Sequence, residues 1–369
     1  MERDNAGYRY FMRKEILEQP GAVSRTLAGC VTNGRVIEAA FGSAAGTVFD
    51  RTEHVHIVAC GTSYHAGVVA RYFIEQICRL PCSIEVASEY RYRKPVTPRG
   101  SLLVALSQSG ETPDTLAAAR LARPGGFIAS LAICNAPKST LVRESDLVLL
   151  THAGAKLALP ATKTFTAQLV ALGVLIGALV RRYEDDSCRE RELVAQLLTL
   201  PAVIEATLAL EPAIRSLARR LAEERHMLLL GRGIMYPVAM EGALKLKEVS
   251  YIQAEAYAAG ELKHGPLALV DAAMPVIAMA PCDTVLEKLK SNLMEVRARR
   301  GQVVVFADPD SGLISKEEVA SIAMPGRLAE IQCPVVYSVA LQLLAFHVAL
   351  FKGIDPDHPR GITMNSGRE

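Results

Sequence analysis

An excess of charge of either sign is what this sequence most plainly lacks: 41 basic against 39 acidic side chains leave +2 over 369 residues. Such a balance offers no electrostatic footprint for nucleic acid or an anionic membrane surface, so neither is expected as a partner. Paired cysteines are missing as well. The eight present (Cys30, Cys60, Cys78, Cys82, Cys134, Cys188, Cys282 and Cys333) are scattered without a C-x-x-C, several of them inside apolar runs. That pattern argues against a zinc site or a disulfide framework and fits reduced, buried thiols. The amino end, Met1-Glu-Arg-Asp-Asn5, has no secretory apolar region, so a cytoplasmic protein is expected. The most tempting membrane segment, Leu169–Val180, is too short for a bilayer and reads as a buried helix. No turn spells G-x-G-x-x-G either; Gly231-Arg-Gly233 lacks the third glycine, which argues against a dinucleotide site. What is present is ordinary for a soluble globular protein of about two domains: 50% hydrophobic and 22% charged residues.

The most informative stretch is Ser107-Gln-Ser-Gly-Glu-Thr-Pro-Asp-Thr115, between the strand-like run Leu102–Leu106 and the helix-like Leu116–Leu121. A polar turn at a strand's carboxyl end and a helix's amino end offers backbone N–H groups and a helix dipole to an anion. Ser107, Gln108, Ser109 and Thr112 add uncharged donors, so the turn reads as a phosphate cradle, the alternative being an ordinary hydroxyl-capped turn. Cys60-Gly61-Thr62-Ser63, after the strand-like His54–Ala59, repeats the logic. Two such turns on successive strands of one parallel sheet can face one crevice.

Strand-like runs at Ser83–Ala87, Phe127–Ile133 and Leu147–Leu150, alternating with helices, imply a parallel sheet covered on both faces. A charged segment, Arg181–Glu192, reads as a linker. A second alternating unit follows, with strands at Leu228–Leu230, Pro275–Met279 and Val303–Ala307 and a helix over Met235–Ser250. Another apolar run, Pro334–Val339, leads into a helix at Leu341–Leu350, while Phe11–Leu17 is an amphipathic entry arm stopped by Pro20-Gly21 and a helical stretch is expected near 35–42. The two units repeat at an offset of 172 residues: His54, Gly61 and Tyr64 fall on His226, Gly233 and Tyr236, and Ala87–Tyr92 on Ala259–His264. The expected architecture is therefore a duplicated α/β domain, each copy a parallel sheet flanked by helices. The expected division is an arm (1–40), a first domain with the cradle (41–186), a second domain (187–354) and a tail (355–369).

The copies differ chemically. Thr62-Ser63 and Ser107-Gln-Ser109 in the first are Ile234-Met235 and Met279-Ala-Pro281 in the second, so only the first can cradle a phosphate. The second carries Glu241, Lys245 and Glu248 on one helical face. These form either a solvated ladder of ion pairs or a carboxylate beside an ammonium, suited to moving a proton next to a carbonyl. His264, in Gly260-Glu-Leu-Lys-His-Gly-Pro266, is either a loop residue or an acid/base group.

Cys60–Ser63, Ser107–Thr112, Ser130–Asn135, Leu141–Asp146, Glu241–Glu248 and Ala254–Pro266 together resemble the isomerase half of the glucosamine 6-phosphate synthases, which is built of two sugar isomerase (SIS) domains. The resemblance runs from Tyr8 to Arg360. It implies that Thr62, Ser63, Ser107, Gln108, Ser109 and Thr112 hold the 6-phosphate of a sugar. It also implies Glu248 as the base between C1 and C2, Lys245 as its charge partner and His264 as the ring-opening acid/base. In the family that histidine is lent by a neighbouring subunit, so a homodimer with shared active sites is implied; no metal or organic cofactor is expected. The chain departs from the pattern in three places. The glutamine-hydrolysing half has no counterpart, Met364 stands where the family has an imine-forming lysine, and the loop Gly154–Lys163 carries Lys156 and Ala161 in place of an acid and a serine. The expected activity interconverts fructose 6-phosphate plus ammonia with glucosamine 6-phosphate. An amino-sugar phosphate deaminase or deglycase and a non-catalytic phosphosugar sensor are the alternatives.

Overall fold

The computed structural model of the chain describes residues 7–122, 125–183, 187–314 and 320–361. It divides into two compact units. One comprises Gly21–Lys156 and Lys163–Pro201; the other takes residues 7–20, the loop Leu157–Thr162 and residues 202–361. The helices α1 (Phe11–Leu17) and α2 (Gln19–Leu27) open the chain, followed by a small hairpin, β1 (Val31–Thr32) and β2 (Arg35–Val36), and α3 (Ala45–Asp50). The sequence reading differs from this in two respects. Pro20-Gly21 does not stop a helix but lies in the first turn of α2, where the missing proline N–H has no intrahelical acceptor to lose. The stretch near 35–42 is β2 and a short 3-10 turn, Glu38–Phe41, rather than one helix.

The first unit then alternates β3 (His54–Ala59), α4 (Gly61–Cys78), β4 (Cys82–Val86), α5 (Ala87–Tyr90), β5 (Ser101–Ser107), α6 (Pro113–Ala122), β6 (Ala129–Cys134), α7 (Thr140–Glu144), β7 (Leu147–Leu150) and α8 (Lys163–Tyr183). All strand pairings in its sheet are parallel, in the order β4-β3-β5-β6-β7. Every residue of β3 and β5 is buried, as a sheet covered on both faces requires. Val58, Leu103, Ala105 and Ala132 pack with Ala87, Tyr90 and Ala118 on the face of α5 and α6. Gly67 of α4 fits against Ile57 and Ile84 of the sheet, so closely that a Cβ there would meet Ile84 at 2.6 Å.

A long helix, α9 (Ser187–Leu208), and α10 (Glu211–Leu221) lead to the second alternation: β8 (His226–Gly231), α11 (Met235–Ser250), β9 (Gln253–Ala258), β10 (Pro275–Ala280), α12 (Leu286–Ala298), β11 (Gln302–Ala307), β12 (Ala320–Ala323) and α13 (Cys333–Phe351). This sheet is also parallel, and its order, β9-β8-β10-β11-β12, reproduces the first strand for strand. The 172-residue offset extends to backbone conformation. Gly61 and Gly233 have φ of 53° and 52°, and the helices they precede end on left-handed residues, Arg79 at 56° and Tyr251 at 57°.

Two expectations are corrected. Pro334–Val339 is the first part of α13, with Pro334 at a helix start where proline is tolerated. Leu169–Val180 belongs to a longer apolar helix. Both 163–182 and 330–351 are long and apolar enough to cross a membrane, but their most apolar windows are 100% and 89% buried inside the fold, so each reads as a core helix. The segment expected as a linker begins in α8, where Arg182 pairs with Glu38 and with Asp50 (2.7 Å), and Arg181 with Glu38 (3.0 Å) and Glu190.

β3 also buries two histidines. His54 is satisfied by Ser101 Oγ at 2.9 Å and Ser83 Oγ at 3.0 Å, whereas His56 Nε2 has no hydrogen-bond partner among the described residues. Burial, helped by His54 and Arg93 and opposed by Glu85, lowers the His56 pKa to about 4. The neutral ring is thus favoured in the folded state, and the unfolded chain binds the extra proton first. Its contribution is complete above the ordinary value of 6.5 and is lost as the pH falls from there through about 4. The loss is at most about 3 kcal/mol. Thermal melts between pH 7 and pH 4 should show a flatter acid limb for His56→Leu than for the parent chain; parallel limbs would show that another group sets it.

Candidate active site

In the sheet order β4-β3-β5-β6-β7, the chain leaves β3 for one side and returns with β5 on the other. Loops after two such strands diverge and leave a crevice at the carboxyl edge of the sheet, the place where open α/β folds bind ligands. The two polar turns singled out in the sequence are the loops after β3 and β5, and Thr115 Oγ1 of α6 reaches Cys60 Sγ at 4.0 Å across that gap.

The turn after β5 is built by its own hydroxyls. Ser107 Oγ accepts from Gly110 N at 3.0 Å and pairs with Thr112 Oγ1 at 3.1 Å, and Ser109 Oγ accepts from Glu111 N at 3.1 Å. Because these oxygens accept from the backbone, Ser109 keeps its O–H to donate, and Ser107 and Thr112 share one pairing between two hydroxyls. Gly110 has φ 65°, and a Cβ there would stand 2.1 Å from Ser139 Oγ, so only glycine closes this turn. Glu111 is the turn's only acid, and its Oε1 is engaged by Thr140 N at 2.7 Å. Gln108 is held through its carbonyl, which accepts from Asn135 N at 3.2 Å. In the turn after β3, Thr62 and Ser63 lie inside the first turn of α4 and are half-buried, while the capping position is Cys60, which makes no side-chain cap. They are therefore not simply a hydroxyl cap. Burial raises the pKa values of Cys60 and Cys134, so neither neighbouring thiol is a ready nucleophile.

The second unit carries the residues expected to do acid–base work. On α11, Lys245 Nζ lies 2.5 Å from Glu248 Oε2 and 3.3 Å from Glu241 Oε1. The ladder is not solvated: the side chains of Lys245 and Glu241 are 1% and 2% exposed, and Glu248 alone reaches solvent, at 20%. Burial by itself would lower the Lys245 pKa, but the two carboxylates outweigh it and hold it above its ordinary value. The repeat shows what a helix in this place needs for packing alone. The residues of α4 at the same offset are Val69, Phe73 and Gln76, the first two buried and apolar. A buried ion pair seldom stabilises more than the apolar pair it replaces, so the exchange of Val and Phe for Glu and Lys points to chemistry rather than stability.

His264 ends a 3-10 turn, Ala259–His264, and is exposed. Three residues that sequence reasoning passed over organise their surroundings. Asn135 Oδ1 accepts from Ala153 N (2.8 Å) and Thr151 Oγ1 (3.1 Å) in the first unit. In the second unit, Glu15 of α1, fully buried, accepts from Leu157 N at 2.5 Å and Ala158 N at 3.2 Å and so shapes the loop Leu157–Thr162, which includes Ala161. The signal for it was available: Glu15 stands with Phe11, Met12 and Ile16 on the apolar face of an amphipathic helix, where an acid needs a partner. Arg232, after β8, donates to Asn292 Oδ1 at 3.0 Å. Met364 lies outside the described residues.

If Lys245 is the counter-ion that makes Glu241 tolerable, Lys245→Met strands a buried carboxylate and should cost about 3–5 kcal/mol in urea unfolding. Lys245→Met with Glu241→Gln should recover most of that. Equal loss in the single and double variants would show that packing, not charge, is what the lysine supplies.

The SIS domain family model matches the chain twice, over residues 49–178 and 220–352, spans that take in both five-stranded sheets. The glutamine–fructose-6-phosphate aminotransferase (isomerizing) of Escherichia coli strain K12 is 52% identical over 359 residues, 97% of this chain and 59% of that protein. The chain therefore spans less than two thirds of the curated relatives it matches. The solved C-terminal domain of glucosamine-fructose-6-phosphate aminotransferase from Francisella tularensis is 43% identical with a TM-score of 0.94, covering 96% of this chain and 100% of that one. A glucosamine-6-phosphate deaminase from Thermotoga maritima, at 23% identity and TM-score 0.73 over 96% of this chain and 98% of its own, shares the fold. With two matched copies in sequence and two parallel sheets of identical strand order, the chain belongs to the SIS-domain family.

Proposed function

We propose that this chain is an aldose–ketose phosphosugar enzyme interconverting fructose 6-phosphate plus ammonia with glucosamine 6-phosphate. The observation that carries the reading is the buried charge on α11, where the other copy keeps Val69 and Phe73. A phosphosugar binder would need the hydroxyl turns but not that ion pair. Thr62, Ser63, Ser107, Gln108, Ser109 and Thr112 are assigned to the 6-phosphate. Glu248 is assigned the proton shuttle, lifting a proton from C1 of the ketose or its imine and returning it to C2. The Lys245 ammonium steadies the negative charge that spreads over the enediol or enolamine in between. His264 is assigned the opening of the sugar ring, and its exposure suits a residue lent to a second copy of the chain in a homodimer. The same reading takes 41–186 and 187–354 as the two domains, between an arm and a tail, and places the protein in the cytoplasm. The relatives named as aminotransferases support it, as does the solved domain from Francisella tularensis.

One departure favours a second reading. With Met364 in place of the family's imine-forming lysine, the removal of the amine from a 6-phosphosugar is the alternative reaction. Incubation with fructose 6-phosphate and ammonium, and separately with glucosamine 6-phosphate, distinguishes them by product. Ammonia release without synthesis would select the second.

Under either reading, C1/C2 deuterium exchange followed by NMR should fall by about 100-fold or more in Glu248→Gln, with the KM for the sugar phosphate little changed. Thr112→Val should do the reverse, raising KM about tenfold through one lost hydrogen bond to a charged group. Full exchange in Glu248→Gln would remove that residue from the mechanism.

A further inference from the structure

At the 172-residue offset, the counterpart of Cys60 in the first copy's phosphate turn is Arg232 in the second. The turn itself is preserved, with Gly233 at φ 52° as Gly61 is at 53°. Its chemistry is not, because Ile234 and Met235, the counterparts of Thr62 and Ser63, are buried at 5% and 1% exposure. An arginine at the rim of a crevice that no longer offers hydroxyls needs another explanation. No carboxylate lies within ion-pair distance of it among the described residues. Its guanidinium donates instead to Asn292 Oδ1 of α12 at 3.0 Å and lies against the main chain of Gly260, where an added Cβ would stand 3.1 Å from Nη1, 3.5 Å from Nη2 and 3.6 Å from Cζ.

Gly260 belongs to the 3-10 turn Ala259–His264. That turn is fixed from below by Ala259 and Leu262, both 0% exposed in the core, and on its outer side by Lys263, whose Nζ lies 2.9 Å from Glu295 of α12. Arg232 supplies a third anchor, bracing the turn at Gly260 through a planar group that α12 holds in place. The histidine at the turn's end makes no hydrogen bond of its own among the described residues. Its position is therefore set by the turn that carries it, together with the 3-10 turn Pro266–Leu269 that follows.

We propose that Arg232 is a positioning residue for His264: the former phosphate turn of the second copy now clamps the turn that carries the ring-opening group. This rests on the role assigned to His264 above, and the test separates the two claims. Deuterium exchange is measured on fructose 6-phosphate and on 5-deoxyfructose 6-phosphate, which has no C5 hydroxyl to close a furanose ring and so bypasses ring opening. In Arg232→Ala, kcat for fructose 6-phosphate should fall about 10- to 100-fold, as for a small misplacement of a reacting group, with KM within about twofold. Exchange on the 5-deoxy sugar should stay at the parent rate, and the substitution should cost nothing more in a His264→Asn background. Asn292→Ala, which removes the guanidinium's anchor, should give the same pattern in weaker form. Equal slowing on both sugars, or a full further loss in His264→Asn, would mean that Arg232 serves only folding and would overturn the clamp. So would His264→Asn slowing fructose 6-phosphate while Arg232→Ala and Asn292→Ala do not. If His264→Asn itself exchanges fructose 6-phosphate at the parent rate, the role of His264 fails and the clamp falls with it.

Discussion

The crevice of the first unit follows from one topological constraint, the reversal of strand order between β3 and β5. A right-handed crossover sends the chain from β3 to β4 on one side and brings it back to β5 on the other, so the loops after β3 and β5 leave the sheet edge in different directions. No side chain has to be spent on making the cavity. What the sequence must supply there is a turn tight enough to bring backbone and hydroxyl donors together, and Gly61 and Gly110, both at positive φ, meet that demand. The hydroxyls of Ser107 and Thr112 then fix each other, and those of Ser107 and Ser109 are held by backbone N–H groups of the turn, so the polar surface is arranged before any ligand arrives. Pre-organised neutral donors suit a phosphate, whose charge they stabilise without carrying a counter-charge into a half-buried site.

The duplication makes the second unit its own control. The same strand order yields the same crevice, yet Met279 and Ala280 end β10 where hydroxyl and amide side chains end β5, and Ile234 and Met235 fill in where Thr62 and Ser63 stay half exposed. A phosphate would meet apolar surface there. On the helix that follows, the exchange runs the other way, with Glu241 and Lys245 at positions where α4 buries Val69 and Phe73. The hydroxyl-rich turns lie in one copy and the buried charges in the other. The cost of burying Lys245 is met by two carboxylates at hydrogen-bonding distance, of which Glu248 remains in reach of solvent.

Much of this was legible in the sequence, and the failures share a cause. Strands buried on both faces, such as β3, β5, β10 and β11, announce themselves as apolar runs, and their limits were read to within a residue or two. β9 and β12, edge strands like β4 and β7, were passed over because neither carries an apolar run: Gln253-Ala-Glu-Ala-Tyr-Ala258 and Ala320-Ser-Ile-Ala323 are mostly alanine and polar residues. Gln253–Ala258 alternates exposed and buried residues only at its start, and Ala320–Ala323 is four residues long. The repeat itself held the missing information, since β9 falls where β4 does once the offset is applied. Pro334–Val339 and Leu341–Leu350 were read as separate segments because the stretch is apolar almost throughout and shows no helical period; it is one buried helix with Pro334 in its first turn. Among candidate site residues, the pattern singled out those whose chemistry is explicit in their type and place. It did not reveal that Lys245 is buried rather than solvated, because helical spacing puts three charges on one face without saying what that face meets.

That last ambiguity is general, and the repeat is what resolves it here. A charged i, i+4 pair on a helix is ordinarily worth a few tenths of a kcal/mol at a surface and tells little about function. Aligning α11 on α4 converts the question from where the charges point to what the fold requires at those positions, and the answer from α4 is valine and phenylalanine. Buried charges at positions that a sister copy keeps apolar are not explained by stability. The same comparison picks out Arg232 against Cys60 and Thr62 against Ile234, each a place where the two copies share a backbone and differ in side-chain chemistry. In a duplicated fold, candidate sites are the positions where the copies keep one conformation and differ in chemistry.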